Sequence, residues 1–459
     1  MRSSIALAFG FALVLASGLS GCSDDDDAGD NGDASDGDPG DAGDDDDGDN
    51  DDGGGPSACG EIEGRCVELS PSDDDRGALQ TALIEAQPDD VIFLRAGEYR
   101  FASGLSLDVD RVTLRGEGDE QTVLSFAEQS DGAQGLLVTA DDFTIEDLAF
   151  EDTAGDALKI QNSARVVVRG VRAEWTGGPS QENGAYGIYP VQCTDVLIEF
   201  STVRGASDAG IYVGQTERAV VRNNAAENNV AGIEIENTFE ADVYDNIATG
   251  NTGGILVFNL PGLQVRNGAG TRVFNNEIVD NNEPNFASGG TVALVPPGTG
   301  FVALAAHKVE VFENRFANNQ TVQLGVISYH LTLAAWEDET YDPYSDTLYF
   351  HDNTFEGGGD MPAGALGGLV RNALDTLPDP PATVPDIVID GHFDPAKVDQ
   401  KSGEVMPAFN ICLQANEGAD FASLGFNGNI KELAPSLDAA PRNCTHPALP
   451  AVELDGVPL

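Results

Sequence analysis

Cysteine, methionine, tryptophan and lysine are all scarce, and each shortage excludes something. The six cysteines include no Cys-x-x-Cys-His, so the chain cannot itself attach a c-type haem. The Cys and His spacings fit no zinc pattern and the five His are scattered, so no metal site is expected. Beyond residue 21 no run approaches the ~20 apolar residues of a membrane helix. Positive charge is short as well: 78 acidic against 23 basic residues leave −55. Setting aside the 16 Asp of residues 24–55 and Arg2 still leaves 62 acids against 22 bases. Such a body repels nucleic acid and other polyanions unless cations intervene.

The ends are distinctive. Arg2 precedes an apolar run from Ile5 to Leu19, the layout of a signal peptide over residues 1–21. Leu19-Ser20-Gly21-Cys22 resembles a bacterial lipobox, which implies acylation of Cys22 and anchoring to a membrane through lipid. Ser23, rather than Asp, then points to the outer membrane. Residues 22–55 continue as an Asp/Gly tether that has nothing to bury and repels itself along its length. The tether lacks a fixed period and a closing Glu, so Ca²⁺, the one ion its composition suggests, has no defined loop there. In an oxidising, extracytoplasmic compartment Cys59 pairs with Cys66 and Cys412 with Cys444, leaving Cys193 over as a small buried residue.

Internal repeats decide the fold. Gly210-Ile211-Tyr212-Val213, Gly232-Ile233-Glu234-Ile235 and Gly254-Ile255-Leu256-Val257 recur every 22 residues, and Gly187-Ile188-Tyr189 lies 23 earlier. A second series, Val221-Arg222-Asn223-Asn224, Val243-Tyr244-Asp245-Asn246 and Val273-Phe274-Asn275-Asn276, runs in phase, and Val311 to Asn314 and Phe350 to Asn353 extend it. A unit of this length is too short for a strand with a helical crossover and suits one coil of three short strands. The fold class is therefore all-β: a right-handed, single-stranded parallel β-helix. A helix over Arg76–Gln87 within residues 56–90 caps its N-terminal end. The solenoid spans residues 91–395, and a disulfide-braced segment, 396–459, closes the other end.

Alternation assigns the faces. Leu158, Ile188, Ile211, Ile233 and Ile255 point inward, and on the same parity Asn162, Gln192, Gln215, Asn237 and Asn259 form an expected buried amide ladder. The column Asn224, Asn246, Asn276, Asn314 and Asn353 either forms a similar ladder or supplies left-handed turn residues. Outward stand Lys159, Tyr189, Tyr212 and Glu234, with Glu236 two positions on and Tyr186 and Asp208 just upstream. Tyr faces stack on sugars and carboxyls bind hydroxyls or act as acid and base, so this strip is the first candidate ligand face. The loop Glu174 to Asn183, with Trp175, is expected to wall it. Tyr329, His330, Trp336, Tyr341, Asp342 and Tyr344, where the register is lost, form the second candidate region, as a site or as an anchor for the loop.

Arg95-Ala96-Gly97-Glu98-Tyr99 and Val112 to Gly118 resemble the opening of pectin-lyase-like β-helix domains. Gly184 to Gln192, Ser207 to Gln215, Val230 to Asn237, Thr252 to Gly262, Pro296 to Gly300 and Tyr341 to Tyr344 resemble a bacterial family of parallel β-helix repeat lipoproteins, over Ala78–Phe355. The resemblance brings no activity with it, but it implies an exported c-type cytochrome-like protein as partner. The strip favours binding, of a neutral or cation-bridged glycan or of a protein, over catalysis. Polygalacturonase-like signatures (paired Asp, Gly-His-Gly, Arg-Ile-Lys) are missing. A glycoside hydrolase would have to use Asp208 and Glu234, and a polysaccharide lyase Lys159 with Tyr189. One prediction belongs to the sequence alone: Cys22→Ala releases the protein from membranes, and its continued sedimentation with the membrane fraction would refute lipidation.

Overall fold

The computed structural model describes residue 59 and residues 64–458. Cys22, the signal peptide and the tether lie outside the described residues. The chain winds as a right-handed parallel β-helix in which each coil supplies one strand to a first sheet and two to a second, bent sheet. One full coil is Ala209–Gly214, Glu217–Arg222 and Ala225–Glu227. The first sheet has 11 parallel strands, from Ser103–Leu107 to Phe421–Ser423. Its inward column runs through Leu136, Leu158, Ile188, Ile211, Ile233, Ile255, Phe301 and Leu324, each paired with the next and each fully buried. Burial of this kind is worth about 1.5–3 kcal/mol per side chain.

Four of the five expected inward amides are displaced by one residue; the fifth, Asn259, is buried, its amide donating to the Gly268 and Ala305 carbonyls at 3.0 and 2.9 Å. Asn162, Gln192, Gln215 and Asn237 have φ of 56°, 57°, 53° and 47°. A left-handed residue breaks the alternation, so the next side chain turns inward instead. That column is Ser163, Cys193, Thr216 and Thr238, all buried. Backbone N–H groups of Cys193 and Thr216 donate to the hydroxyls of Thr216 (3.4 Å) and Thr238 (3.2 Å), one coil on. Cys193 thus occupies a Ser/Thr rung, its thiol 3.4 Å from the carbonyls of Ile160 and Val191. Asn237 is buried, but beneath the loop after Phe258: its amide donates to the Leu260 and Val265 carbonyls at 3.0 and 2.9 Å.

For the second asparagine column both roles exist, on adjacent residues. Asn223, Asp245, Asn275, Glu313 and Asp352 carry the left-handed φ. Asn224, Asn246, Asn276, Asn314 and Asn353 point inward, each donating Nδ2–H to the Oδ1 of the next at 2.9–3.0 Å, and Asn353 does so to Asn416 at 3.1 Å. A further ladder, Asn229, Asn251, Asn281 and Asn319, lines the next bend and was not anticipated.

Asp75–Glu85 forms the capping helix, with the Asp74 carboxylate accepting from Gly77 N–H and Leu79 and Leu83 fully buried. At the far end the solenoid continues past the expected limit of residue 395. Ile387–Ile389 pairs with Phe421–Ser423, and Asp346–His351 with Ile411–Gln414. The helix Gly364–Leu374 before the Pro-rich stretch had no signal in the repeat phase. Disulfides join Cys59 to Cys66 and Cys412 to Cys444, as an extracytoplasmic compartment permits. The last residues do not stay at the end: from His446 the chain runs back along the outer face of the second sheet.

Each ladder asparagine serves both neighbouring coils. Asn276→Leu and Asn251→Leu should therefore each cost about 1–3 kcal/mol by leaving buried partners unpaired, whereas Cys193→Ser, which keeps a rung, should cost less than about 1. Urea unfolding midpoints check this.

Candidate ligand-binding face

All seven strip residues come together on the outer side of the first sheet. Tyr189 pairs with Lys159 in the ladder, and the Lys159 ammonium lies 4.8 Å from the Tyr189 ring centre. Tyr186, Tyr189 and Tyr212 form a triangle with centroid separations of 4.4, 4.8 and 4.9 Å. The Tyr186 hydroxyl donates to Asp208 Oδ2 at 3.2 Å. Lys159, Tyr186, Tyr189 and Asp208 are half-buried and form the open part of the face.

Tyr212, Glu234 and Glu236 differ from expectation: they are buried, with 5%, 3% and 7% exposure. Part of the reason is local. Gly214 pairs with Glu236 and offers no side chain, so the Tyr212 ring lies over it; a Cβ there would come within 2.1 Å of the ring. From that position Tyr212 donates to Glu236 Oε1 at 2.7 Å. The next outward rungs are apolar: Leu256 and Phe258, then Val302 and Leu304, all buried. Val292 and Val295 from one insertion, and Tyr329 and Tyr341 from another, pack in the same cluster as these residues and Tyr212. The strip is therefore open at Lys159 and closed at Glu236.

Burial dominates the electrostatics. It pushes the Asp208 carboxyl up to about 7, against the opposing hydrogen bond from Tyr186, with the charges of Glu236 and Asp156 adding to the rise. The buried Glu234 and Glu236 carboxyls share a hydrogen bond and are both held above the usual range by burial; Asp208 and Glu236 raise Glu234 further. Glu234 Oε2 has no protein partner. Tyr189 is pushed up to about 12 by burial and by Asp156. Asp156, absent from the sequence-based set, is raised to about 6 by burial, with Lys159 opposing. It precedes Leu158 by two residues, as Tyr186 precedes Ile188, so the repeat phase carried its signal. Near neutral pH the Glu234 carboxyl keeps its proton and Asp208 and Glu236 keep theirs part of the time, so these groups can donate hydrogen bonds as well as accept them, whereas Asp156 is mostly ionised.

The second region divides in two. Tyr329, Trp336 and Tyr341 pack edge-to-face, with centroids 5.4–6.0 Å apart, and Tyr341 donates to the Asn259 carbonyl at 2.7 Å. They anchor the insertion over the closed end of the strip. His330 links this group to a second one: its ring lies 5.0 Å from Trp336, and it and Tyr344 pack on His392 with centroids 4.8 and 5.1 Å from it. The histidines are thus less scattered in space than in sequence. Asp342 joins Asp346 on the Lys397 ammonium at 2.7 and 2.6 Å, and His307 lies 3.1 Å from Asp346. His307, Asp342 and Asp346 have donor spacing suited to a metal, but that position already holds the Lys397 cation. Trp175 does not wall the strip. It is buried in the core, its indole N–H donating to the Thr153 carbonyl at 2.7 Å.

The architecture has a matching family model: residues 118–260 fit one described as "Right handed beta helix region". No curated protein matches the sequence. Among solved structures, the A-module of a mannuronan C-5 epimerase from Azotobacter vinelandii is similar at 18% identity, over 75% of this chain and 91% of that one, with a TM-score of 0.48. A Family 28 exopolygalacturonase from Yersinia enterocolitica aligns at 11% identity over 78% and 70%, with a TM-score of 0.43. An alginate lyase from Paenibacillus sp. aligns at 15% over 64% and 98%, with a TM-score of 0.32.

The raised carboxyl of Asp208 fixes the sign of a pH effect. The folded state holds this proton more tightly than the unfolded chain, whose Asp titrates near 3.9. Its stabilising contribution is complete below that value and is lost as pH rises through about 7. Asp208→Asn should therefore reduce the fall in Tm between pH 5 and pH 8 relative to wild type; an unchanged difference would show that Asp208 titrates normally.

Proposed function

We propose that the open part of the strip, Lys159, Tyr186, Tyr189 and Asp208, binds a glycan, with Tyr212, Glu234 and Glu236 as its buried back wall. The observation that carries this reading is the tyrosine triangle set against carboxyls that burial raises toward neutral pH, on a sheet face whose later rungs are apolar. Aromatic rings pack on the apolar faces of sugars, and neutral carboxyls donate to and accept from their hydroxyls. Raising these carboxyls lowers the negative charge on the face, which suits a neutral glycan, and Lys159 is at hand to meet a partial negative charge on it. The protein would present this face outside the cytoplasm, anchored through Cys22 to the outer membrane.

Acid–base catalysis on the same glycan is a second reading, favoured by one observation: Asp156 and Asp208 are tuned to about 6 and 7, the range a general acid or base requires.

A glycan array followed by calorimetry tests both. Tyr189→Ala should weaken binding at least about tenfold while costing under about 1.5 kcal/mol of stability. Asp208→Asn that abolishes turnover but keeps affinity would establish catalysis. Wild-type binding by Tyr189→Ala would refute the face. If no glycan binds, and the Tyr variant instead loses a co-purifying protein such as the cytochrome-like partner, the strip is a protein-binding surface.

A further inference from the structure

The buried acids of the second sheet hold cations. Asp195 meets Arg218 at 2.7 Å, Glu199 meets Arg169 and Arg222 at 2.7 and 2.8 Å, and Glu310 meets His351 at 3.2 Å. On the candidate face the acids are left alone. Among the described residues none of Asp156, Asp208, Glu234 and Glu236 forms an ion pair, and the nearby Lys159 lies over the Tyr189 ring instead, 4.8 Å from its centre. Two oxygens there lack a protein donor. Asp208 accepts from Tyr186 on Oδ2 alone, which leaves Oδ1 free at the half-buried edge. Glu234 is 3% exposed, and its Oε2 has no partner. The acids surround one tyrosine. Burial raises the Tyr186 hydroxyl, and the charges of Asp208, Glu234 and Glu236 add to the rise in that order. Asp156 meets the same residue from the preceding coil, accepting from its backbone N–H. These carboxyls do not gather closely enough for a metal ion: among the described residues only His307, Asp342 and Asp346 offer three donors within 4.8 Å of one another. An ammonium makes no such demand, because its N–H groups donate to carboxylates one at a time and its charge rests well on aromatic faces.

We propose, resting on the glycan reading of this face, that its ligand carries free amino groups, with one ammonium on Asp208 beside the Tyr186 and Tyr189 rings and the sugar ring packed on the tyrosines. Oδ1 of Asp208 accepts one ammonium N–H, and Oε2 of Glu234, deeper on the face, is the acceptor for another. Asp156, mostly ionised near neutral pH, adds negative charge beside Tyr186. In the free protein, protons offset part of the charge of these carboxyls; a bound ammonium takes over that role as they ionise. Lys159 already rests an ammonium on one of these rings, and Asp156 and Asp208 leave charge for a second cation. An acetamide or a hydroxyl in the same place could donate to Asp208 but would bring no charge. The formal charge of −55 also draws a cationic glycan toward the protein.

The test uses the whole protein and three tetrasaccharides that differ at one ring position. Units of glucosamine, N-acetylglucosamine and glucose bring an ammonium, an acetamide and a hydroxyl. By calorimetry slightly below neutral pH, where the amines are charged, wild type should bind the glucosamine form at least about tenfold more tightly than either of the others, and added salt should narrow the gap. Asp208→Asn and Asp156→Asn should each remove most of that preference. Asp379→Asn, which removes one exposed charge elsewhere, should keep it. Equal or tighter binding of the acetylated or hydroxyl form by wild type, a comparison that needs no variant to fold, overturns the amine and leaves the glycan reading intact. A preference unaltered in Asp208→Asn and Asp156→Asn with the circular dichroism of wild type would reflect bulk charge alone and overturns it too. Binding of none of the three also refutes the amine, and the glycan array then decides the glycan reading on its own.

Discussion

Polar groups that face the interior of this solenoid must find their partners on their own coil or one coil away. Asn246 and Thr216 are buried, and an unpaired buried amide or hydroxyl costs about 1–3 kcal/mol. The asparagine ladders meet that requirement by repetition: the same side chain in the same place on the next coil both accepts and donates. Once the ladders are in register, the strands between them are in register too, and the aliphatic columns close over one another. The strict phase of the sequence follows from this, because a coil that gained or lost a residue between two bends would orphan a rung on each side. Insertions are accordingly confined to the turns, as at residues 282–298 and 328–345.

Those insertions shape the candidate face. An outward column on a long flat sheet is ordinarily an open ribbon. Here the apolar rungs Leu256, Phe258, Val302 and Leu304 need cover, and Val292, Val295, Tyr329 and Tyr341 provide it. The cover ends at Glu234 and Glu236, and the acids at its edge lose water without gaining a cation. Their raised affinity for a proton is a consequence of burial and, for Glu234, of the neighbouring acids Asp208 and Glu236, not of any special chemistry in the glutamates.

Much of this was legible in the repeat. The coil length, the inward aliphatic column and the capping helix follow from the spacing of Ile211, Ile233 and Ile255 and of Leu79 and Leu83. The one-residue error in the amide ladder arose because alternation was extended through Gln192 and Gln215, whose left-handed backbone a parity rule cannot see. The outward strip was placed in the right columns, and Asp156 was recoverable from the same phase. The closing of the strip at Tyr212 was not legible, because it depends on segments nearly 50 to more than 120 residues away in sequence. Trp175 misled for a related reason: a large aromatic in a loop reads as a wall, whereas the Thr153 carbonyl draws it inside.

The asparagine ladder also has a direction. Each Nδ2–H points toward the Oδ1 of the next coil, from Asn224 through to Asn416, and no rung is reversed. The amide dipoles therefore add, and each bond polarises the next. The result is a line of aligned dipoles down the axis of the protein, positive toward one end and negative toward the other, perpendicular to the strands whose own dipoles run across it. A β-structure built this way acquires the axial polarity normally associated with an α-helix, carried by side chains instead of the backbone.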